Sequence, residues 1–408
     1  MYPSPEFELL LYCLKLGIGC DIDIMTGLPD KKNINNIDWE KWKNLVIGHG
    51  VLSQVYIDIK NKGTTIDFFP VKMMEELKGL FYLNTSKNIR LCSELNILVK
   101  SMQTLRIGVI AFKGPVLAVQ AYNDYTSRSY LDLDVLIDEH DFNRFYDNMK
   151  SLGYKPFCPF NEKMREKWAR LGREYLFLKK NIYIDVHFRI QRGPKFTGSE
   201  NLMDREKYAV VEIIDQPVRA LALEYSVLAI CINATKDGWN KLSFVVDLAS
   251  LVRDNRELKW DFIISRARSM RVYSMLCTGL RLANELLGLP LPPGISSDDI
   301  RNKKIDRLVR AYKKILATGE GKDLPGNWAQ RLELKAIDTG WAKSRYFCYY
   351  LFVPKISDLV DISVLGINFP FTVYLVLRPF LLVIRMLRGF LLSRVRVTRK
   401  KKEVGAGK

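Results

Sequence analysis

Two aspartates one residue apart, Asp132 and Asp134, stand in the run R-S-Y-L-D-L-D-V-L-I-D, residues 128–138. The run reads as a short β-strand. Leu131, Leu133, Val135 and Ile137 fall on one face, and Asp132, Asp134 and Leu136 on the other. Two like charges on one strand face repel, and strands disfavour aspartate. A divalent cation removes the conflict. Carboxylate oxygens at this spacing suit Mg2+, with a substrate phosphate completing its shell. The plainer reading is a solvated edge strand with two inert acids. A later strand repeats the oddity: in Tyr183–Phe188, Tyr183, Asp185 and His187 share a face between the apolar Ile184, Val186 and Phe188. Asp185 is either a third carboxylate for the same cations or half of a locally satisfied Asp–His pair. Three carboxylates could hold two cations against a triphosphate, the arrangement of in-line phosphoryl displacement.

Residues upstream supply the complementary charge. The apolar run Ile107–Phe112 ends in Lys113-Gly114-Pro115. This predicts strand, tight turn and helix, with Gly114 free to take a conformation closed to other residues and Pro115 at the first helical position. A helix starting there aims unpaired N–H groups at the turn and makes an anion site, to which Lys113 adds a full charge. The same three residues would also suit an ordinary strand-to-helix turn.

The remaining elements must position these groups. Residues 1–105 read as helices: an apolar run at Phe7–Leu16, a helix capped by Asp38, and two helical patterns at Lys72–Phe81 and Leu91–Met102. His49 lies between glycines without a ligand partner and reads as structural or surface-exposed. After the acid strand, Asp138 and Asp141 suit a capped helix that stops at Gly153, with His140 solvated. Glu174–Leu178 and Asn181–Phe188 form a hairpin pattern. Residues 219–290 show helical spacing at Ala220–Ala234, Leu242–Val252, Trp260–Ala267 and Tyr273–Leu287. Residues 294–326 read as a surface linker with one helix, the basic run Arg301–Lys304 facing solvent. The expected fold class is α+β, a small mixed sheet flanked by helices, with helical regions at both ends. The expected divisions are an N-terminal helical region at 1–105, a sheet core at 106–190, a helical domain at 191–293, linker and helices at 294–355, and a basic, apolar tail at 356–408.

The chain of 408 residues carries a formal net charge of +18, which favours anionic partners such as nucleotides, nucleic acid or lipid head groups. Residues 371–408 hold ten Lys or Arg and one acid, half of that excess. Arginines 378, 385 and 388 fall within one side of an apolar helical pattern whose uninterrupted stretches are too short to span a bilayer. Two readings stand equal: an interfacial helix on an anionic leaflet, with Val373, Leu377, Leu381 and Ile384 in the interface, or a helix docked on the protein's own surface. The seven cysteines form no C-x-x-C pair, and the N-terminus has no basic n-region, so the expected compartment is the cytoplasm or the inner face of the membrane.

F-K-G-P, R-x-x-x-D-L-D-V-L-I-D, L-G-Y, R-E-Y-L-F and I-D-V-H-F occur in that order, followed by D-G-W and L-S-F-V-V-D-L-A-S-L-V. P-K-I-S-D, N-F-P and Y-L-V-L-R-P follow. The ordered set resembles the bacterial family of uncharacterised nucleotidyltransferases within the DNA polymerase β-like superfamily, over most of residues 35–385. The resemblance implies Mg2+, an NTP (ATP the first expectation) and a carboxylate triad at Asp132, Asp134 and Asp185. It places the first motif, usually Gly-Ser or Gly-Gly, at Lys113-Gly114-Pro115, where Lys113 stands in for the missing serine. His187 matches a histidine the family tends to carry, and Phe188 stands where Trp is commoner. On this reading Asp185 accepts the acceptor's proton, Lys113, Gly114 and Arg128 meet the phosphates, and His187 orients Asp185 or touches the acceptor. The expected function is transfer of an NMP to an unidentified hydroxyl, in a membrane-side polysaccharide or glycolipid pathway. The alternatives are a degenerate nucleotide-binding scaffold and an RNA-directed transferase, the latter without an aromatic-basic RNA module to support it.

Overall fold

β-branched and aromatic runs at 109–111, 133–137, 175–187 and 208–221 have to pair, and they pair into one sheet flanked by helices, an α+β fold. The structure, a computed structural model, describes residues 4–18, 36–62, 68–171, 174–190, 207–319, 328–354, 373 and 375–384. The strands are β1 (Val109–Ala111), β2 (Leu133–Ile137), β3 (Lys155–Pro156), β4 (Tyr175–Lys179), β5 (Ile182–His187), β6 (Tyr208–Glu212) and β7 (Pro217–Leu221). Their order is β3-β4-β5-β2-β1-β7-β6. β2 lies at the centre, parallel to β5 and antiparallel to β1, and β1 is parallel to β7. The acids therefore do not stand on a solvated edge strand.

The sheet is larger than its sequence suggests. Ala220 and Leu221, expected to open a helix, belong to β7, and the hairpin β6–β7 adds two strands from the stretch read as helical. Their apolar residues are few and short, and what makes them strands is the open edge of β1, a partner more than a hundred residues away.

Before the sheet come α1 (Pro5–Ile18), α2 (Trp39–Gly48), α3 (Leu52–Lys62) and α4 (Val71–Thr104). Asp38 caps α2 as expected, accepting from the Lys41 amide at 3.0 Å. The two patterns within 72–102 prove to be one 34-residue helix, α4, ~50 Å long at 1.5 Å per residue. Met73 and Leu77 at its start enter the core of the helical part, while Leu91–Met102 at its end lie on the sheet. The change of partner, and not a break in the helix, separates the two patterns.

α5 (Gly114–Tyr122) follows β1, and α6 (Phe142–Ser151) and α7 (Glu162–Arg170) follow β2. Asp138 caps a 3-10 turn ahead of α6, but Asp141 makes no capping bond and pairs with Arg144 at 3.2 Å, so the expected capping box does not form. His140 is exposed, as expected. Beyond the sheet, α8 (Leu223–Lys236), α9 (Leu242–Asp254), α10 (Trp260–Ser269) and α11 (Tyr273–Leu287) build a core with α1–α3, and α12 (Ser297–Ile300), α13 (Lys303–Thr318), α14 (Trp328–Ala336) and α15 (Gly340–Phe352) complete it. His49 is buried within this core, its Nδ1 accepting from the Leu242 amide at 3.3 Å. The basic run at 301–304 is not simply a solvated face. Lys304 Nζ donates to Ser274 Oγ at 2.8 Å, to the Ile337 carbonyl at 3.0 Å and to Asp338 at 3.1 Å, tying α13 to α11 and α14.

Residues 375–384 are helical. Leu375, Leu377 and Leu381 pack against the core over the sheet, and Arg378, fully buried, donates through Nε to the Tyr350 carbonyl at 2.9 Å. The reading that puts Leu377 and Leu381 in a lipid interface is thereby corrected: the Tyr350 carbonyl and ring of α15 hold the neighbouring arginine inward. The opposite side carries Val376, Phe380, Val383 and Ile384, all exposed. Among the described residues no helix is long and apolar enough to cross a membrane. Arg385, Arg388 and the basic segment 394–402 lie outside the described residues.

Candidate active site

Strand β2 places its side chains as period two dictates. Leu133, Val135 and Ile137 enter the core under α4 and α6, while Leu136 enters a second core with Ile110, Phe112, Leu221 and, from α8, Tyr225. Asp134 is on the side of Leu136. In the parallel pairing of β2 with β5, Asp134 is the register partner of Asp185, and Leu136 of His187. Adjacent strands are about 4.8 Å apart, so the pairing forces the two carboxylates together. Ligand atoms of Asp134, Asp185 and His187 all lie within 4.8 Å of one another. Asp132 stands immediately before β2, half-buried, and Leu131 beside it is exposed.

Asp134 is 5% exposed, and a buried carboxylate needs partners. It has two on one oxygen: Lys113 Nζ at 2.7 Å and His187 Nε2 at 2.9 Å. Burial works against its charge, but Lys113 and His187 outweigh burial and hold the carboxyl well below the usual range. For Lys113, burial likewise opposes the charge and Asp134 and Asp132 overcome it, raising the ammonium. Burial pushes His187 down, which makes the imidazole neutral at pH 7. A neutral imidazole this close to an ionised carboxylate donates from Nε2, which leaves its lone pair on Nδ1. The ring of His187 meets Phe112 edge-on at 4.9 Å, which fixes its plane.

Among the described residues no cation is hydrogen-bonded to Asp185, and the charge of Lys113 reaches it only weakly. Burial, then the charges of Asp134, Glu174 and Asp132, push its carboxyl up to about 7. Asp132 is also raised, by burial and by Asp134. Two acids at matched positions thus carry opposite perturbations, one ionised and paired, the other poised to take a proton.

The turn behaves as its sequence predicts. Gly114 has φ +52 and opens α5, with Pro115 in the first turn. A β-carbon at Gly114 would sit 3.3 Å from the Asp132 carbonyl oxygen, so this glycine lets the helix start pass directly over the chain entering the acid strand. The Phe112 amide donates to the Asp134 carbonyl at 3.3 Å and locks the end of β1 to the same residue.

Arg128 is placed differently from expectation. Its Nε donates to Asp247 of α9 at 2.8 Å, and Tyr122 Oη donates to the other oxygen of Asp247 at 2.8 Å. Asp247 is 1% exposed. Burial opposes the guanidinium charge and Asp247 outweighs it, so the pairing holds the arginine firmly. Arg128 thus fastens the loop before the acid strand to the helical part. Truncating one partner of a buried ion pair strands the other. Asp247→Ala is therefore expected to destabilise the fold by ~3–5 kcal/mol. Equilibrium urea unfolding measures it, and a loss under ~1 kcal/mol would show that the pair does not tie the parts together.

Sequence reasoning missed Asp247 as a partner, although a lone acid in the apolar helix L-S-F-V-V-D-L-A-S-L-V was a signal. It also missed Glu174, whose charge reaches Asp185. Glu174, His187, Arg189, Asn233 and Lys236 line a polar cleft between β5 and α8.

The donor set fits a divalent cation. The oxygens of Asp134 and Asp185 are hard ligands, Asp132 adds charge beside them, and the mutual repulsion that raises Asp132 and Asp185 is what a cation would relieve. In comparisons with known proteins, the profile of a family described as uncharacterised nucleotidyltransferase matches residues 35–288. No curated protein matches the chain, and no solved structure does.

Proposed function

Since this chain belongs to the family of uncharacterised nucleotidyltransferases, we propose that it moves a nucleoside monophosphate from an NTP to an acceptor hydroxyl at Asp132, Asp134 and Asp185. The observation that carries the reading is the register pair Asp134–Asp185 with Lys113 against it. Asp132, Asp134 and Asp185 would hold Mg2+, which on binding supplies charge neutralisation of the triphosphate and activates the attacking oxygen. The amides opening α5, with the helix dipole behind them, and Lys113 bind phosphate oxygens. Asp185 takes the acceptor's proton as its oxygen bonds to the α-phosphorus. The bond to the β-phosphate breaks, and pyrophosphate leaves. His187 holds Asp134 through Nε2 and so fixes the carboxylate beside Asp185.

One contact favours a second reading. Lys113 already sits on the Asp134 oxygen that a cation would take, as in a protein that binds nucleotide without turning it over. The test is transfer of label from α-labelled NTPs, with Mg2+, to a small sugar, tRNA, a protein or a lipid extract. Label in one acceptor, lost on chelation, supports the transferase. Binding of nucleotide with no transfer to any of the four supports the second reading.

The outer face of residues 375–384 gives the membrane reading its present form. Val376, Phe380, Val383 and Ile384 recur at helical spacing, exposed, on a helix anchored by its other side. The sequence beyond it is strongly basic. An anionic leaflet matches both features.

A further inference from the structure

We propose that Lys87 of α4 is a further phosphate-binding residue of this site, approaching the triphosphate from the side of Asp132. The proposal rests on the nucleotidyltransferase reading and adds a residue that neither the motifs nor the family suggested.

The argument starts from the face of α4. Asn88 Nδ2 donates to the carbonyls of Arg128 at 2.7 Å, Tyr125 at 3.3 Å and Thr126 at 3.4 Å, and Asn84 Nδ2 reaches Arg128 at 3.5 Å and Ser53 Oγ at 3.0 Å. Asn84 and Asn88 are one turn apart, so together they lace the loop at 125–128 along the helix. Lys87 is three residues from Asn84, on the same stripe. From Arg128 the chain runs directly to Asp132, and the charge of Asp132 is felt at Lys87.

The second strand of the argument is what occupies each cation. Lys113 is on Asp134, and Arg128 is on Asp247. Lys87 is half-buried and makes no hydrogen bond or ion pair among the described residues. Burial pushes its ammonium below the ordinary lysine range. A partly desolvated ammonium on this stripe, with no protein acceptor among the described residues, is open to an incoming anion. Asp132 is near enough to draw it and is not bonded to it. A triphosphate held at the α5 N-terminus and the acids would present the missing oxygens, and Lys87 would take the part expected of Arg128.

The role has a signature with two signs. A lysine that serves phosphate repels a metal cation at Asp132 and attracts the nucleotide. Lys87→Met keeps the aliphatic stem and removes the charge. With the full chain, Mg2+ and the α,β-methylene analogues of ATP, GTP, CTP and UTP, calorimetry should show the preferred analogue bound on the order of tenfold to a hundredfold more weakly than by wild type. Binding of free Mn2+, followed by its spin resonance, should be unchanged or a few-fold tighter. Lys87→Arg should restore the nucleotide affinity, and Lys87→Gln carries the same expectation as Lys87→Met should that variant not fold. Equal nucleotide affinity in wild type and Lys87→Met would overturn the proposal. So would a joint fall of nucleotide affinity, Mn2+ affinity and melting temperature, which marks a structural lysine. If wild type binds none of the four analogues, the nucleotidyltransferase reading itself fails, and the assignment of Lys87 falls with it.

Discussion

Asp185→Asn should abolish transfer and, without metal, make the protein more stable above neutral pH. The loss of activity is expected to be at least ~10^2–10^4-fold, the contribution of a positioned general base, with any loss of cation binding added. The gain in stability follows from linkage. Asp185 has its folded carboxyl raised from 3.8 to about 7. The folded state therefore binds its proton more tightly than the unfolded state, and stability falls as pH rises from about 4 to about 7. Above that window the whole penalty is present, on the order of 4 kcal/mol for a gap of this size. Asparagine removes the charge and the penalty. Thermal melts of the chelated protein at pH 4 and pH 8 should show wild type and variant close together at the lower value and the variant clearly higher at the upper. A variant no more stable at pH 8 would mean that Asp185 does not carry a buried, repelled charge.

Asp134 should do the reverse. Its carboxyl is held well below the usual range, so its contribution is present above an unfolded pKa near 4 and is lost only as pH falls below that. Asp134→Asn removes the charge that Lys113 and His187 share and leaves a largely buried ammonium without its counter-ion. Removing an acid from a repelling cluster would be neutral if repulsion were all that acted on it. Here two donors on one oxygen reverse the sign.

Phe380→Ser combined with Ile384→Ser should abolish binding to anionic vesicles without changing the melt. Both side chains are exposed, at 64% and 46%, so the fold loses little. In a bilayer interface each would bury apolar area, and at ~1.5–3 kcal/mol per fully buried side chain the pair should lower the partition by on the order of a hundredfold or more. The measurement is co-sedimentation with phosphatidylglycerol vesicles at low and high salt. Salt should weaken wild-type binding without ending it, since the apolar part is not screened. Equal sedimentation of wild type and variant, or none by wild type, would leave the helix as a surface strut only. A chain stopped before residue 371 is a poorer test, because it also deletes Leu377, Leu381 and the buried Arg378.

Much of the site was legible because strand periodicity is local. The faces of Asp132, Asp134, Asp185 and His187 follow from period two, and the Gly114 turn from its own three residues. What the sequence could not show was pairing across distance. Asp134 and Asp185 become neighbours through a register that no stretch of 11 residues contains. Arg128 looked free for phosphate until Asp247, 119 residues on, claimed it. The fold showed the same limit. Helices with a strong apolar stripe, such as α11, were plain, whereas β6 and β7 exist as strands because β1 has an edge to offer. Arg378 fell on one side of an apolar helix with the lipid and docked readings equal, because spacing cannot tell which side of a helix meets the protein.

That open edge bears on how the chain can be made and cut. β1 pairs with β2 some twenty residues later, but its other neighbour, β7, is complete only at Leu221. During synthesis at ~5–20 residues per second, the acid strands can pair while Val109, Ile110 and Ala111 wait with one side unmatched. All three are buried in the finished fold. A fragment ending near residue 190, which would contain every carboxylate of the site, should therefore present a sticky apolar strand to its own copies and precipitate. One carried through Leu221 would close that edge with β7 and leave outermost the hairpin's own strand β6, whose Val210 already tolerates solvent.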